Sequence, residues 1–338
     1  MDLVSSVLSG DRLGLARLLS EVESGSQAGT QALNQLFPHT GKAQLIGVTG
    51  APGTGKSSLV NQLALHYRRP PQGEPRRVAI LAVDPSSPFT GGAVLGDRIR
   101  MRELSGDQGV FIRSMASRGS LGGLAAASAG AAQAFDAAGY DIILIETVGS
   151  GQSEVEIAKL AHTTLVVDVP GLGDDVQAIK AGILEIADIL VLNKADRPGV
   201  ESAERALQGM LKLGHPTKRI MHHGQVEEVQ SADSEQAHRE EWIPPIRRTV
   251  ALEGKGVVEL VEAIEGHRQF LQRSGEWQGR ERARLQNEVE LLLQSELMAT
   301  WRRGLSPGQY EAVLDALMAR QQSPRQAVAA LLNGKAKR

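Results

Sequence analysis

Cysteine does not occur among the 338 residues, which removes disulfides, thiolate metal sites and thiol nucleophiles together. Net charge is scarce as well. The 37 Lys and Arg stand against 39 Asp and Glu, a formal charge of −2, so the overall balance draws the chain neither to nucleic acid nor to an anionic membrane. No run approaches the roughly 20 consecutive apolar residues that span a bilayer. The opening stretch MDLVSSVLSGDRLGLARLL is apolar at helical spacing, but Asp2, Asp11 and Arg12 interrupt it and no small-residue cleavage site follows, which argues against a signal peptide. The expectation is a soluble cytoplasmic protein without nucleic-acid or membrane partners, long enough for an α/β core of roughly 200 to 250 residues with smaller pieces at its ends.

What is present centres on Leu45 to Ser58. The apolar residues Leu45, Ile46 and Val48 read as a strand, and it runs into Gly50-Ala51-Pro52-Gly53-Thr54-Gly55-Lys56-Ser57. Every fixed position of G-x-x-x-x-G-K-[ST] is met. Glycines let backbone N–H groups curl around an anion, Lys56 reaches outer phosphates, Ser57 can place its hydroxyl on Mg²⁺, and a helix starting near Ser58 points its positive end at the same place.

The rest of the chain supplies a frame for that loop. Runs at Gln44–Thr49, Val78–Val83, Val110–Arg113, Ile142–Glu146, Thr164–Val169, Ile189–Asn193 and Arg248–Ala251 are mostly apolar throughout, as parallel strands covered on both faces require. Helical segments alternate with them, giving a doubly wound, mostly parallel α/β sheet whose ligands sit beyond the strands' carboxyl ends. Residues 1–40 read as an N-terminal helical extension, with apolar stripes at Leu3, Val7, Leu8, Leu15, Leu18 and Leu19 and at Leu33, Leu36 and Phe37. Residues 41–272 read as the nucleotide domain, with an irregular insertion at 215–245. Residues 273–338 read as a helical arm, in which Ser306-Pro307-Gly308-Gln309 and Ser323-Pro324-Arg325-Gln326 have the form of capping boxes. The arm's apolar stripe (Leu285, Val289, Leu292, Leu297, Trp301) needs a cover, either a second copy of the chain or the chain's own core.

Three further motifs specify the ligand. Asn193-Lys194-Ala195-Asp196 ends the strand ADILVLN, and an N-K-x-D carboxylate accepts from the ring N–H and exocyclic amine of guanine, which adenine does not present together. Arg248 to Gly256, RTVALEGKG, stands where the last guanine loop belongs, with Val250, Ala251 and Leu252 at the base. Ile145-Glu146-Thr147-Val148-Gly149-Ser150-Gly151-Gln152 places a carboxylate one strand from the phosphate loop, where Mg²⁺ needs an oxygen, and Gly149 where an N–H can approach a γ-phosphate. Asp84 and Asp97 are either metal or water-positioning groups or turn formers. Gln152 is either a water-orienting residue or a solvent-facing helix start.

The stretches GVTGAPGTGKSSL, LAVDPSSPFTGGAVLGDRIRM, SMASRGSLGGLA, ILIETVGSGQSEVEI, VPGLGDDVQAIKAGILEIADILVLNKAD and TVALEGKG together resemble the methylmalonyl-CoA mutase-associated GTPases (MeaB or ArgK type), relatives of the metallochaperone GTPases. The resemblance implies that Ser57, Asp84, Asp97 and Glu146 serve Mg²⁺, that Gly149 to Glu156 form a second switch, and that Pro170 to Lys180, with Asp174, Asp175 and Lys180, form a third that contacts a partner. It implies GTP hydrolysis to GDP, with Lys56, Asp97, Glu146 and Lys180 in catalysis. It also implies service to an adenosylcobalamin-dependent acyl-CoA mutase, cobalamin entering through that partner alone, and a homodimer joined by C-terminal helices. Two departures stand out. Val250 replaces the usual Ser, which leaves the Ala251 N–H to meet the guanine carbonyl, and Ser120 replaces a His. A nickel metallochaperone, a transport-system kinase and a nucleotide-binding scaffold are the competing readings. His222-His223 is the one adjacent histidine pair for the first of these.

Overall fold

The computed structural model describes residues 2–84, 102–104, 106–116, 123–147, 153–171, 185–214 and 241–333. Seven strands, β1 (Gln44–Thr49), β2 (Val78–Asp84), β3 (Val110–Ala116), β4 (Ile142–Thr147), β5 (Thr163–Asp168), β6 (Ile189–Leu192) and β7 (Ile246–Arg248), form one sheet. Their order is β3-β2-β4-β1-β5-β6-β7, and every neighbouring pair is parallel. All seven expected strands are present. The last is displaced: Ile246–Arg248 forms the ladder where Arg248–Ala251 was expected, because Val250 bridges Lys255 around a tight turn, although the Thr249 N–H still donates to the Leu192 carbonyl of β6.

The central strands β1 and β4 are buried at all six of their positions, the environment that selects unbroken apolar runs. One face is covered by α1 (Leu3–Leu8), α2 (Arg12–Ser24), α3 (Gln27–Leu36) and α5 (Gly123–Ala137), whose Val7, Leu15, Leu18, Leu19, Leu36 and Phe135 share a core with Leu45, Ile143 and Ile145. The other face is covered by α4 (Lys56–Arg68) and α8 (Val257–Ser274), packing Leu59, Leu63, Leu260 and Ile264 onto Ile46, Val48 and Leu144. The elements α6 (Ser153–Leu160) and α7 (Val200–Gly214) complete the wrapping. The N-terminal stripe differs from expectation at two positions. Leu8 and Phe37 are exposed, since Leu8 lies about 100° around the helix from the buried Val7 and Phe37 sits in a short turn held by Pro38. Asp136 of α5 accepts from the N–H groups of Gly41, Lys42 and Ala43 at 2.6, 3.2 and 3.0 Å, fixing the entry into β1.

The chain divides into two compact units, 1–287 and 288–338. The second contains the end of α9 (Glu276–Arg303), α10 (Gln309–Met318) and α11 (Pro324–Asn333). Ser323 and Gln326 make the reciprocal capping pair expected of them. At Ser306 the backbone N–H donates to Gln309 Oε1, and α10 begins at Gln309 behind Gly308 in the left-handed conformation.

Within the first unit, the start of α9 is seated on the amino ends of β5 and β6 by polar groups. Arg280 donates to both carboxylate oxygens of Asp188 at 2.7 and 2.8 Å and to the His162 carbonyl at 2.8 Å. Asp188 also accepts from the Thr164 N–H, and the buried His267 stands 3.3 Å from it. His162 accepts the Leu45 N–H on Nδ1, meets Glu281 through Nε2 and stacks on Trp277. Removing Arg280 strands the Asp188 carboxylate in a 10% exposed position. R280A is expected to lose about 3 kcal/mol of unfolding free energy, measured by denaturant titration. Burial holds the His267 pKa down at about 4 from its ordinary 6.5. Burial raises that of Glu281, but the bonds from His162 and Arg284 outweigh it and hold the carboxyl at about 2, below its ordinary 4.5. Both groups bind fewer protons folded than unfolded, so stability falls as pH drops from 6.5 toward 4 for His267 and from 4.5 toward 2 for Glu281. The melting temperature should decline over the first window, and less so in H267Q.

Candidate functional site

The site lies at the carboxyl ends of β1, β4 and β6, as the sheet topology demands. β1 ends at Thr49, whose hydroxyl meets that of Thr147 at the end of β4 at 3.2 Å. The chain then turns through Gly50 to Gly55 into α4. Two of these glycines are obligatory. Gly50 has φ of 140° and a Cβ there would fall 2.1 Å from the Val167 carbonyl oxygen, while at Gly55, φ 92°, it would fall 2.4 Å from Asn193 Nδ2. The loop can therefore lie against β5 and β6 because those positions carry no side chain.

Lys56 opens α4 and is nearly buried. Its ammonium donates to the carbonyls of Gly50 at 2.8 Å and Ala51 at 3.1 Å. Burial lowers its pKa, and the nearby Glu146 and Glu154 pull the other way. Ser57 donates its hydroxyl to Glu146 Oε1 at 2.5 Å, across from α4 to β4. A hydroxyl and a carboxylate side by side next to a phosphate loop are hard oxygen ligands of the kind Mg²⁺ takes, so this pair fits the metal. Among the described residues no group of three or more His, Asp or Glu is arranged to hold a metal.

Asn193 ties the phosphate loop to the loop after β7. Its Nδ2 donates to the Thr54 carbonyl at 2.8 Å, and its Oδ1 accepts from the Thr249 hydroxyl and the Ala251 N–H, both at 3.1 Å. The Ala251 N–H, which the sequence directed at a guanine carbonyl, is thus held by Asn193 in this structure. Lys194 takes φ of 55° and donates to the Gly53 carbonyl at 2.6 Å. The turn closes with the Arg197 N–H on the Lys194 carbonyl. The loop after β7 is shaped by the Val250–Lys255 bridge and leaves Leu252 84% exposed at the rim.

Together these elements enclose a cleft of about 530 Å³, within the range of small-molecule sites. Its walls include Pro52, Gly53, Gly55, Lys56, Ser57 and Ser58 from the phosphate loop, Glu146 and Thr147 from β4, Asn193, Lys194, Asp196 and Arg197 after β6, and Val250 to Glu253 after β7. The structure thus assembles the phosphate loop, the N-K-x-D motif, the loop after β7 and Glu146 from segments that span Pro52 to Glu253. Gly50 and Ala51 face Lys56 through their carbonyls, and Thr54 is buried beneath the loop. Asp84 ends β2, where its residue pairs with Ala116. Asp97, Ser120, Gly149, Gln152, Asp174, Asp175, Lys180 and the His222-His223 pair lie outside the described residues, as do residues 215–240 of the expected insertion. Sequence reasoning passed over Thr249, although it stands inside the TVALEGKG stretch, and Asp168, which ends β5. Burial raises the pKa of Asp168 against a bond from the Val169 N–H.

Comparison with known proteins places this geometry among relatives. The family model described as methylmalonyl Co-A mutase-associated GTPase MeaB matches residues 15–305. A Pyrococcus abyssi protein with GTPase in its name is 42% identical over 313 residues, covering 93% of this chain and 90% of that one. The GTPase ArgK of Escherichia coli is 35% identical over 84% of this chain and 79% of its own. A mouse protein named methylmalonic aciduria type A homolog, mitochondrial, is 35% identical over 78% of this chain and 57% of its own. A crystal structure described as that of an LAO/AO transport system kinase superposes with a TM-score of 0.69 at 25% identity, covering 99% of this chain and 97% of that one.

Replacing Asn193 by Ala leaves the Thr54 carbonyl, the Thr249 hydroxyl and the Ala251 N–H without this partner. N193A is expected to cost about 2 kcal/mol of stability and to weaken GDP binding at least about tenfold, an effect of about 1.4 kcal/mol, read by denaturation and titration calorimetry.

Proposed function

Because the chain belongs to the methylmalonyl-CoA mutase-associated GTPase family, we propose that it hydrolyses GTP on behalf of an adenosylcobalamin-dependent acyl-CoA mutase, gating the loading of the cofactor and the removal of damaged cofactor. The observation that carries the GTP reading is a cleft that holds the phosphate loop at one end and, at the other, the Asp196 carboxylate. The mutase reading is supported by the family's description and by the mouse relative's name.

The reaction is GTP + H₂O → GDP + phosphate. Asp196 accepts the ring N–H and exocyclic amine of guanine. Lys56 exchanges the carbonyls of Gly50 and Ala51 for phosphate oxygens and, with the amides of Gly53 to Ser57, counters charge spreading over the γ-phosphoryl group. Ser57 and Glu146, with Asp84 and Asp97 as further ligands, would hold Mg²⁺, which when bound supplies positive charge to the phosphate oxygens. Asp97 positions water, Gly149 approaches the γ-phosphate, and Lys180, with Gln152, Asp174 and Asp175 in the partner-sensing switches, completes the site when the mutase docks. Hydrolysis by the isolated protein is accordingly slow.

The homodimer is part of the proposal. Val289, Leu292, Leu293, Leu297 and Met298 of α9 are all exposed large apolar side chains, and a second copy is the cover the family resemblance suggests. A transport-system kinase is the second reading, favoured by the description of the solved relative.

Two experiments decide among these. In single-turnover assays, mutase addition should raise phosphate release at least about tenfold over the protein alone; no stimulation by any cobalamin-dependent acyl-CoA mutase would remove the partner assignment, and labelled phosphate retained on a protein would favour the kinase. D196N should lose guanine preference, with GDP affinity falling about a hundredfold, some 2.7 kcal/mol, while inorganic tripolyphosphate still competes at the phosphate loop.

A further inference from the structure

Among the described residues, the cations lining the cleft are Lys56, Lys194 and Arg197, and they differ in what they already hold. Lys56 is bound to two loop carbonyls and Lys194 to the Gly53 carbonyl. The Arg197 guanidinium makes no hydrogen bond or ion pair with any described residue, although Asp196 is its immediate neighbour in the chain and Glu253 lines the same cleft. Glu253 is instead paired with Lys255 at 2.6 Å. The Arg197 N–H closes a turn on the Lys194 carbonyl, and that turn starts from a left-handed Lys194. Asp196 and Arg197 both line the cleft, and no ion pair joins them.

Their chemistries divide a purine between them. A carboxylate meets the edge of guanine that carries N–H donors, an edge from which a guanidinium, having five donors and no acceptor, is repelled except at the carbonyl. The face of the base, by contrast, attracts a planar cation, and Arg stacks there in a way that Lys does not match. We propose that Arg197 is a positioning residue for the nucleotide, laying its guanidinium over the face of the guanine ring whose edge Asp196 reads. This rests on the guanine-nucleotide reading of the cleft and adds to it a residue outside the N-K-x-D tetrapeptide. Because stacking tolerates any base, Arg197 contributes affinity and orientation, while Asp196 retains the choice of base.

The test measures GDP, GTP and inorganic tripolyphosphate binding to the full-length wild-type protein, R197A and R197K by competition calorimetry. If the wild type binds neither GDP nor GTP, the guanine reading itself has failed. Given wild-type binding, R197A is expected to weaken GDP and GTP by the same factor, about five- to twentyfold, and to leave tripolyphosphate unchanged. R197K keeps the charge without the plane and is expected to recover less than half of that loss on a logarithmic scale. Unchanged GDP binding in R197A overturns the proposal. So does an equal loss for tripolyphosphate, which would make Arg197 a phosphate-directed charge, and so does full recovery in R197K, which would make the plane irrelevant. Circular dichroism melting of each variant separates a lost contact from a lost fold.

Discussion

The Asn193 carboxamide is where three loops that carry the ligand-binding groups are held to one another. It is 2% exposed, and its amide and carbonyl oxygen together make three bonds, to the loop after β1 and to two groups of the loop after β7. A buried amide left without partners costs more than a satisfied one gains, so the arrangement is favoured as a whole or not at all. The missing Cβ at Gly55 is the steric half of the same constraint. With both in place, the spacing between the phosphate loop and the N-K-x-D loop is set by the protein itself, as preorganisation of a cleft requires.

The phosphate end is arranged around exchange. Lys56 is satisfied by carbonyls and Ser57 by Glu146, so a ligand must offer better partners than the protein's own. For Lys56 it does. Burial disfavours the ammonium and lowers its pKa, and phosphate oxygens restore the compensation that neutral carbonyls supply in part. The Ser57–Glu146 bond likewise keeps a buried carboxylate compensated in the absence of a cation. Asp196 and Arg197, which line the same cleft, make no side-chain bond to another described residue, so a ligand reaching them meets less competition from internal partners.

Much of this was legible in the sequence, for physical reasons that also explain the exceptions. Parallel strands buried on both faces are unbroken apolar runs, so ILIET and ILVL announce themselves, and the residues of the phosphate loop are dictated by backbone geometry that few alternatives can adopt. β7 was expected at Arg248–Ala251 but pairs at Ile246–Arg248, because the β-branched Val250 bridges Lys255 around a tight turn instead of extending the ladder with β6. Propensity yielded to the local turn. The polar seat of α9 was not legible at all. His162, Asp188, His267 and Arg280 lie up to 118 residues apart in the chain, and each alone reads as an unremarkable surface residue. Their meaning exists only once β5, β6 and α8 are side by side.

That seat bears on the site through β6. The strand is four residues long, about 13 Å, and all four are buried. Just before its amino end stands Asp188, gripped by Arg280 and the Thr164 N–H, with the Trp242 indole donating to its carbonyl; just after its carboxyl end stands Asn193. So short a strand has few ladder bonds with which to fix its own register, and a slip by one residue would turn every buried side chain to the opposite face. Polar anchors at both ends resist that slip where apolar packing alone is permissive, since a carboxylate and a carboxamide accept partners in specified directions and hydrophobic contacts do not. The position of the N-K-x-D loop is therefore a consequence of groups at the opposite, amino end of the strands as much as of the loop itself.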